Sequence, residues 1–184
     1  MTLVDVANHG NSYILALQVA ASTTFQTVVG EANQTDAMDH IHYPVVDFDE
    51  TGAIVVDLEP PRAIIVDELG DEEYVTNGIG KWDLNQSWWL SFDFVVPTDH
   101  TSEGGTQNEW AWFQLQIKTI LSDMLQLGKT GNPVGSKTYM ELSSLRRLQG
   151  PYRLDPAEYG RPADPAAGKP DVIWHVAYDV FRGF

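Results

Sequence analysis

Residues 87–96 alternate without a break. Trp88, Leu90, Phe92, Phe94 and Val96 fall on one side of an extended chain; Trp89, Ser91, Asp93 and Val95 fall on the other. A strand with one face so rich in large apolar groups must be covered by a second layer. Residues 172–182 repeat the pattern. Val172, Trp174, Val176, Tyr178 and Val180 share one face, with His175, Asp179 and Phe181 opposite. The chain is therefore expected to build a sheet with one buried face, and the rest of the sequence must supply its cover.

Two helical patterns can do so. In the first, Ile14, Leu17, Ala21, Phe25 and Val28 follow the i, i+3/i+4 spacing of a buried stripe. Asn11 or Ser12 is the expected cap, and Gly30 stands near the end. Gln18, Ser22, Thr23 and Gln26 form the opposite, solvated or partner-facing side. The second runs from a cap at Thr106 or Asn108 to about Leu127. Its apolar face is Trp110, Phe113, Ile117, Ile120, Leu121 and Met124, and Gly128 is expected to stop it. Between the helices, 31–39 is polar. Short Val- and Ile-rich strands are expected at 53–58 and 63–67, separated by Pro60-Pro61, and 70–73 reads as a turn. A further strand is expected at 74–82, with a hairpin turn at Asn85-Gln86 before the strand 87–96. Residues 139–149 alternate weakly and read as another strand. The segment 150–170 carries Pro151, Pro156, Pro162, Pro165 and Pro170 and reads as an extended loop. The order predicts one α+β domain over 1–184. It has an antiparallel sheet of about five to six strands, two helices on one face, and a long Pro/Gly-rich insertion before the last strand.

Composition narrows the function. A hydrophobic fraction of 43% supports a true core. With 26 acidic residues against 11 basic, the formal net charge is −15. That opposes sequence-independent nucleic-acid binding and a basic membrane-facing surface. The absence of cysteine excludes disulfides, thiolate zinc sites, iron–sulfur clusters and a cysteine nucleophile. Residues 1–10 carry no Lys or Arg and no apolar run, so no signal peptide is expected. No apolar stretch approaches the ~18 residues of a membrane span.

Each chemical motif has a plainer reading beside it. His40 and His42 are spaced as a His-x-His metal pair, followed by Asp47 and Asp49, with His100, His175 or an acid as a third ligand. The plainer reading, a polar loop entering a strand, fits them better. A cupin-like arrangement would need a glutamate where Val46 stands. Asp67, Glu68, Asp71, Glu72 and Glu73 could offer oxygens to calcium but lack EF-hand spacing, and fit a solvated turn better. Gly128-Lys129-Thr130 resembles the end of a phosphate loop but sits at a helix end. Trp88, Trp110 and Trp174 lie on core stripes; Trp82 and Trp89 remain as a possible sugar-stacking pair. Arg146-Arg147, the only basic pair, suits a salt bridge to a neighbour. No catalytic, metal or cofactor residue is assigned. A small metal enzyme on His40/His42 and a carbohydrate-binding module stand as alternatives.

Three stretches carry a resemblance. Pro60-Pro61-Arg62-Ala63-Ile64-Ile65-Val66 is a proline–arginine strand, and Thr76-Asn77-Gly78-Ile79-Gly80-Lys81-Trp82 a Gly-x-Trp strand. Trp89-Leu90-Ser91-Phe92-Asp93-Phe94 is a long alternating strand, followed by a long amphipathic helix, an insertion and a final strand. This layout is similar to the tail-terminator (tail-completion) proteins of long-tailed phages over nearly the whole chain. The resemblance implies a non-enzymatic ring subunit without cofactor. It would be a homo-oligomer, usually a hexamer, seated on the last ring of the tail tube at the head-proximal end of the virion tail. It would end tube growth, dock the head-completion proteins and let DNA pass through its lumen. Another head–tail connector or a tube subunit is the neighbouring expectation. Strong acidity suits a channel along which DNA slides without sticking. A salt-loving source would also favour acids over the chain's five lysines. The loops 31–44 and 150–170 are expected to be arms reaching neighbouring subunits.

Overall fold

The computed structural model describes residues 3–43, 47–48, 54–55, 58–67, 73–77, 81–101, 106–130, 139–154 and 172–182. The fold is α+β, as the alternation requires. Helix α1 (Leu3–Ala20) leads into α2 (Thr23–Val29), α3 (Gln34–Ala37) and a single 3-10 turn (Met38–His40). Strands β1 (Ile41–His42), β2 (Asp47–Phe48), β3 (Ile54–Val55), β4 (Arg62–Asp67), β5 (Glu73–Asn77) and β6 (Lys81–Val95) follow. Then come α4 (Thr98–Thr101), the long α5 (Thr106–Thr130), β7 (Ser144–Arg153) and β8 (Ile173–Arg182).

The main sheet has the order β1-β4-β6-β8-β7, with β5 also paired to β6. The sheet is mixed rather than wholly antiparallel, because β1 lies parallel to β4, Ile41 opposite Ala63. The remaining pairs in this sheet are antiparallel. Strands β2 and β3 form a separate two-stranded ribbon.

Strand β6 is the spine. Its first half pairs with β5 and its second half with β4, while β8 runs along it from Gln86 to Val95. The expected turn at Asn85-Gln86 therefore does not exist. Asn85 faces Glu73 and Gln86 faces Arg182 inside the ladder. Strands β5 and β6 are instead paired antiparallel out to Asn77 opposite Lys81, and 78–80 lie outside the described residues. Trp82 consequently belongs to β6, not to the preceding strand.

The apolar faces read from the sequence point into the core. Trp88, Leu90, Phe92 and Phe94 of β6, Val176 and Val180 of β8, and Ala63 and Ile65 of β4 are all buried. Phe25 of α2 and Phe113 of α5 meet Phe94 at ring distances of 6.2 and 5.9 Å, so the helices cover this one face. Each of the Leu, Ile, Val and Phe side chains contributes about 1.5–3 kcal/mol on burial.

The helices themselves depart from expectation. The first pattern is two helices, not one, and it begins at Leu3, leaving Asn11 and Ser12 inside α1 rather than capping it. The break falls at Ser22, whose Oγ accepts from the Phe25 N–H and donates to Asp123 Oδ2 at 2.6 Å. The buried apolar residues described in the two helices are Leu15, Ala16, Val19, Ala20, Phe25 and Val29 rather than the expected stripe, of which only Phe25 is fully buried. Gln18, assigned to the solvated side, is buried. Its Nε2 donates to the Met124 carbonyl at 2.5 Å, and its Oε1 accepts from the Met140 N–H at 3.2 Å. Gly128 does not end α5. It sits buried in the last turn, where a Cβ would collide with the Met140 carbonyl oxygen.

The polar segment after α2 is also folded onto its own chain, not extended as an arm. Asn33 caps α3, Ala37 and Ile41 are buried, and Gln34 Nε2 donates to the Leu17 carbonyl at 2.8 Å. Strand β7 runs through Gly150-Pro151, into the segment expected to be loop. Being outermost, it can hold a proline whose missing N–H breaks no central ladder. The rest of that insertion, 155–170, lies outside the described residues.

Candidate functional site

The antiparallel registers line up four side chains on the sheet face turned away from the helices. Arg62 of β4 stands opposite Asp93 of β6, Asp93 opposite His175 of β8, and His175 opposite Tyr152 of β7. Arg62 Nε donates to Asp93 Oδ2 at 2.7 Å, and its Nη1 donates to the Leu58 carbonyl. His175 Nδ1 donates to Asp93 Oδ1 at 2.6 Å. The Tyr152 ring lies 5.1 Å from the imidazole and the Trp89 ring 6.3 Å from it. Asp93 and His175 are both buried.

An Asp–His pair of this kind fixes the proton on Nδ1 and leaves Nε2 as an acceptor. Hydrolases use the same device to activate a serine. Ser91 lies on this face one register step away, opposite Ala177. Yet His175 Nε2 and Ser91 Oγ are both buried and neither has a hydrogen-bond partner among the described residues. The serine is thus not held by the imidazole, and neither atom is open to a substrate. What the row does in this geometry is tie three strands together through charge-assisted bonds.

The metal pair read from the sequence is not assembled. His40 lies in the 3-10 turn, not on a strand. Its Nδ1 is 3.2 Å from the Pro61 carbonyl and its Nε2 3.2 Å from Glu31 Oε1. His42 lies on β1 beside Ile64. No group of three His, Cys, Asp or Glu side chains suited to a metal exists among the described residues. Of the acidic turn, Asp67 ends β4 and Glu73 begins β5, while 68–72 lie outside the described residues. Trp89 is half-buried, with its ring 6.3 Å from that of His175; the Trp82 side chain lies outside the described residues. Trp110 leaves the core stripe. Glu109 takes that position, accepting from Trp174 Nε1 at 3.1 Å, with Arg153 Nε 4.0 Å away.

The surface carries a different signal. Trp110 is 48% exposed and Leu115 62% on α5; Leu148 is 39% and Tyr152 42% exposed on β7. Arg146, Arg147 and Arg153 are exposed on the same outer strand. Tyr178, opposite Arg147, has its phenol pushed up by burial and drawn partly back by that guanidinium. The row Arg62–Asp93–His175 was hidden in the sequence because it spans three strands. Its signal was present all the same: Asp93 and His175 both stand on the polar sides of the two best alternating strands. No protein-family model and no characterised protein matches the chain.

Proposed function

We propose that this protein is a structural subunit that assembles into a closed ring of identical copies, of the tail-terminator type, at the head-proximal end of a phage tail tube. There it would end tube growth and seat the head-completion proteins. The observation that carries the reading is where large apolar groups stand open: Trp110 and Leu115 on α5, Leu148 and Tyr152 on β7. Trp110 and Tyr152 are of the aromatic types enriched where proteins meet. The layout supports it too. A leading helical layer, a meander around one long strand, a long amphipathic helix and a closing strand follow the order on which the resemblance rests. The buried row Arg62–Asp93–His175 fits a scaffold, since its charges bind strands to one another. A net charge of −15 suits a lumen through which DNA passes without being held.

The test is assembly. Light scattering after size exclusion, with negative-stain microscopy, should give a closed symmetric ring, alone or on adding the tube protein of the same phage. A chain that stays monomeric in both conditions, and leaves tubes growing to unlimited length, is not a terminator.

A further inference from the structure

Strand β7 is the outermost strand of the sheet, paired only to β8 among the described residues. Its ten residues hold three of the chain's 11 basic side chains and none of its 26 acidic ones. Arg146, Arg147, Leu148, Tyr152 and Arg153 are exposed along it. Neither Arg146 nor Arg147 makes an ion pair among the described residues, although Asp179 stands opposite Arg146. In a chain of net charge −15 this is a local reversal of sign, placed on a strand whose outer backbone groups lack a described strand partner.

We propose that β7 of one copy receives β5 of a second copy as an added strand, so that neighbouring sheets join edge to edge. The inference rests on the ring-assembly reading and names its interface. Main-chain bonds would supply the pairing and the arginines its choice of partner. Arginines, Pro151 and the two register shifts at 147–149 and 149–152 are what an edge carries to resist indiscriminate pairing. They leave the edge selective for a strand of opposite charge. The other sheet ends offer two candidates. Strand β1 has only two residues, too few to hold a register. Strand β5 has five, is paired only to β6 among the described residues, and begins at Glu73 directly after Asp71-Glu72 in the sequence. A contact between two different edges is head-to-tail, the kind that closes rings. A polyanion such as duplex DNA is the rival occupant. It matches the arginines but not the backbone ladder or the interleaved Leu148 and Tyr152, and the chain as a whole repels it.

The experiment compares the full-length protein with Arg146→Glu/Arg147→Glu, using light scattering and amide hydrogen exchange in the assembled and dilute states. In the wild type, amides of both β7 and β5 should exchange at least about tenfold more slowly on assembly. The double reversal should weaken association at least about tenfold, with that protection lost from both strands. If the reversed chain does not fold, salt decides on the wild type. Assembly should weaken at about 1 M NaCl, where screening shortens to about 3 Å. A ring that forms while β7 or β5 exchanges at its dilute rate overturns this interface and leaves the assembly reading standing. A wild type that never associates overturns both. Capture of a duplex DNA probe, abolished by the same reversal, assigns the strip to a polyanion and overturns the proposal.

Discussion

Asp93 has both carboxylate oxygens committed inside the sheet, one to Arg62 and one to His175. Removing it strands a largely buried guanidinium and an imidazole N–H together. Breaking one partner of a buried charge pair costs about 3–5 kcal/mol, since the remaining charge keeps its desolvation penalty. Asp93→Ala should therefore lose about 3 kcal/mol in urea denaturation, whereas truncating the exposed Asp99 should change stability by less than about 0.5 kcal/mol. Equal effects at the two positions would show that the row contributes nothing beyond its neighbours' packing. A second expectation concerns Tyr178. Burial raises its pKa from 10.0, and Arg147 lowers it in part. Arg147→Ala should thus move its ionisation further up, seen as later growth of phenolate absorbance. The sign for stability follows. A phenol whose folded pKa exceeds its unfolded value favours the fold below pH 10.0, and that contribution fades as pH rises through the folded pKa. Tyr178→Phe should remove this alkaline loss; an unchanged alkaline profile would place it elsewhere.

At the scale of elements, α5 shows how a helix can be legible in phase yet misjudged at its end. An exposed helical glycine replaced by alanine gains up to about 1 kcal/mol. At Gly128 the new methyl would meet the Met140 carbonyl, so Gly128→Ala should instead cost about 1–3 kcal/mol by overpacking. Ser122→Ala, on the exposed side of the same helix, is the control. A stabilised Gly128→Ala would mean the 139–142 segment moves aside freely. Strands β6 and β8 were legible because period-two alternation states both the element and its buried face. The helix break at Ser22 was not, since Ser22 is a helix-compatible residue until Asp123 of a distant helix arrives to bond it. Gln18 was misplaced for the same reason: its two amide partners lie more than a hundred residues away. The parallel pairing of β1, two residues long, leaves no periodic trace at all. Of the candidate site, the residue types were readable on each strand, but their union needed the register of β4, β6 and β8.

For the molecule as a whole, charge is the dominant fact. Twenty-six acids and 11 bases in 184 residues give a net charge of −15, and the described ion pairs absorb few of them. Like charges crowded onto one fold repel, and unfolding relieves the repulsion by spreading them apart. Salt relieves it without unfolding. Screening reaches about 30 Å at 0.01 M and about 10 Å at 0.1 M, so charges across the whole surface interact in the first case and only near neighbours in the second. Raising NaCl from 0.01 to 0.5 M should thus raise the Tm by several degrees, where about 1 kcal/mol corresponds to about 2–4 °C for a chain of this size. The same step should weaken any contact made through Arg146 and Arg147. Folding and association are then expected to respond to salt with opposite signs, followed by calorimetry and light scattering on one sample. The buried pair Arg62–Asp93 is shielded from solvent and should not reverse the trend. A Tm that stays flat or falls over that range would show that the acidic surface is balanced locally and exerts no net strain on the fold.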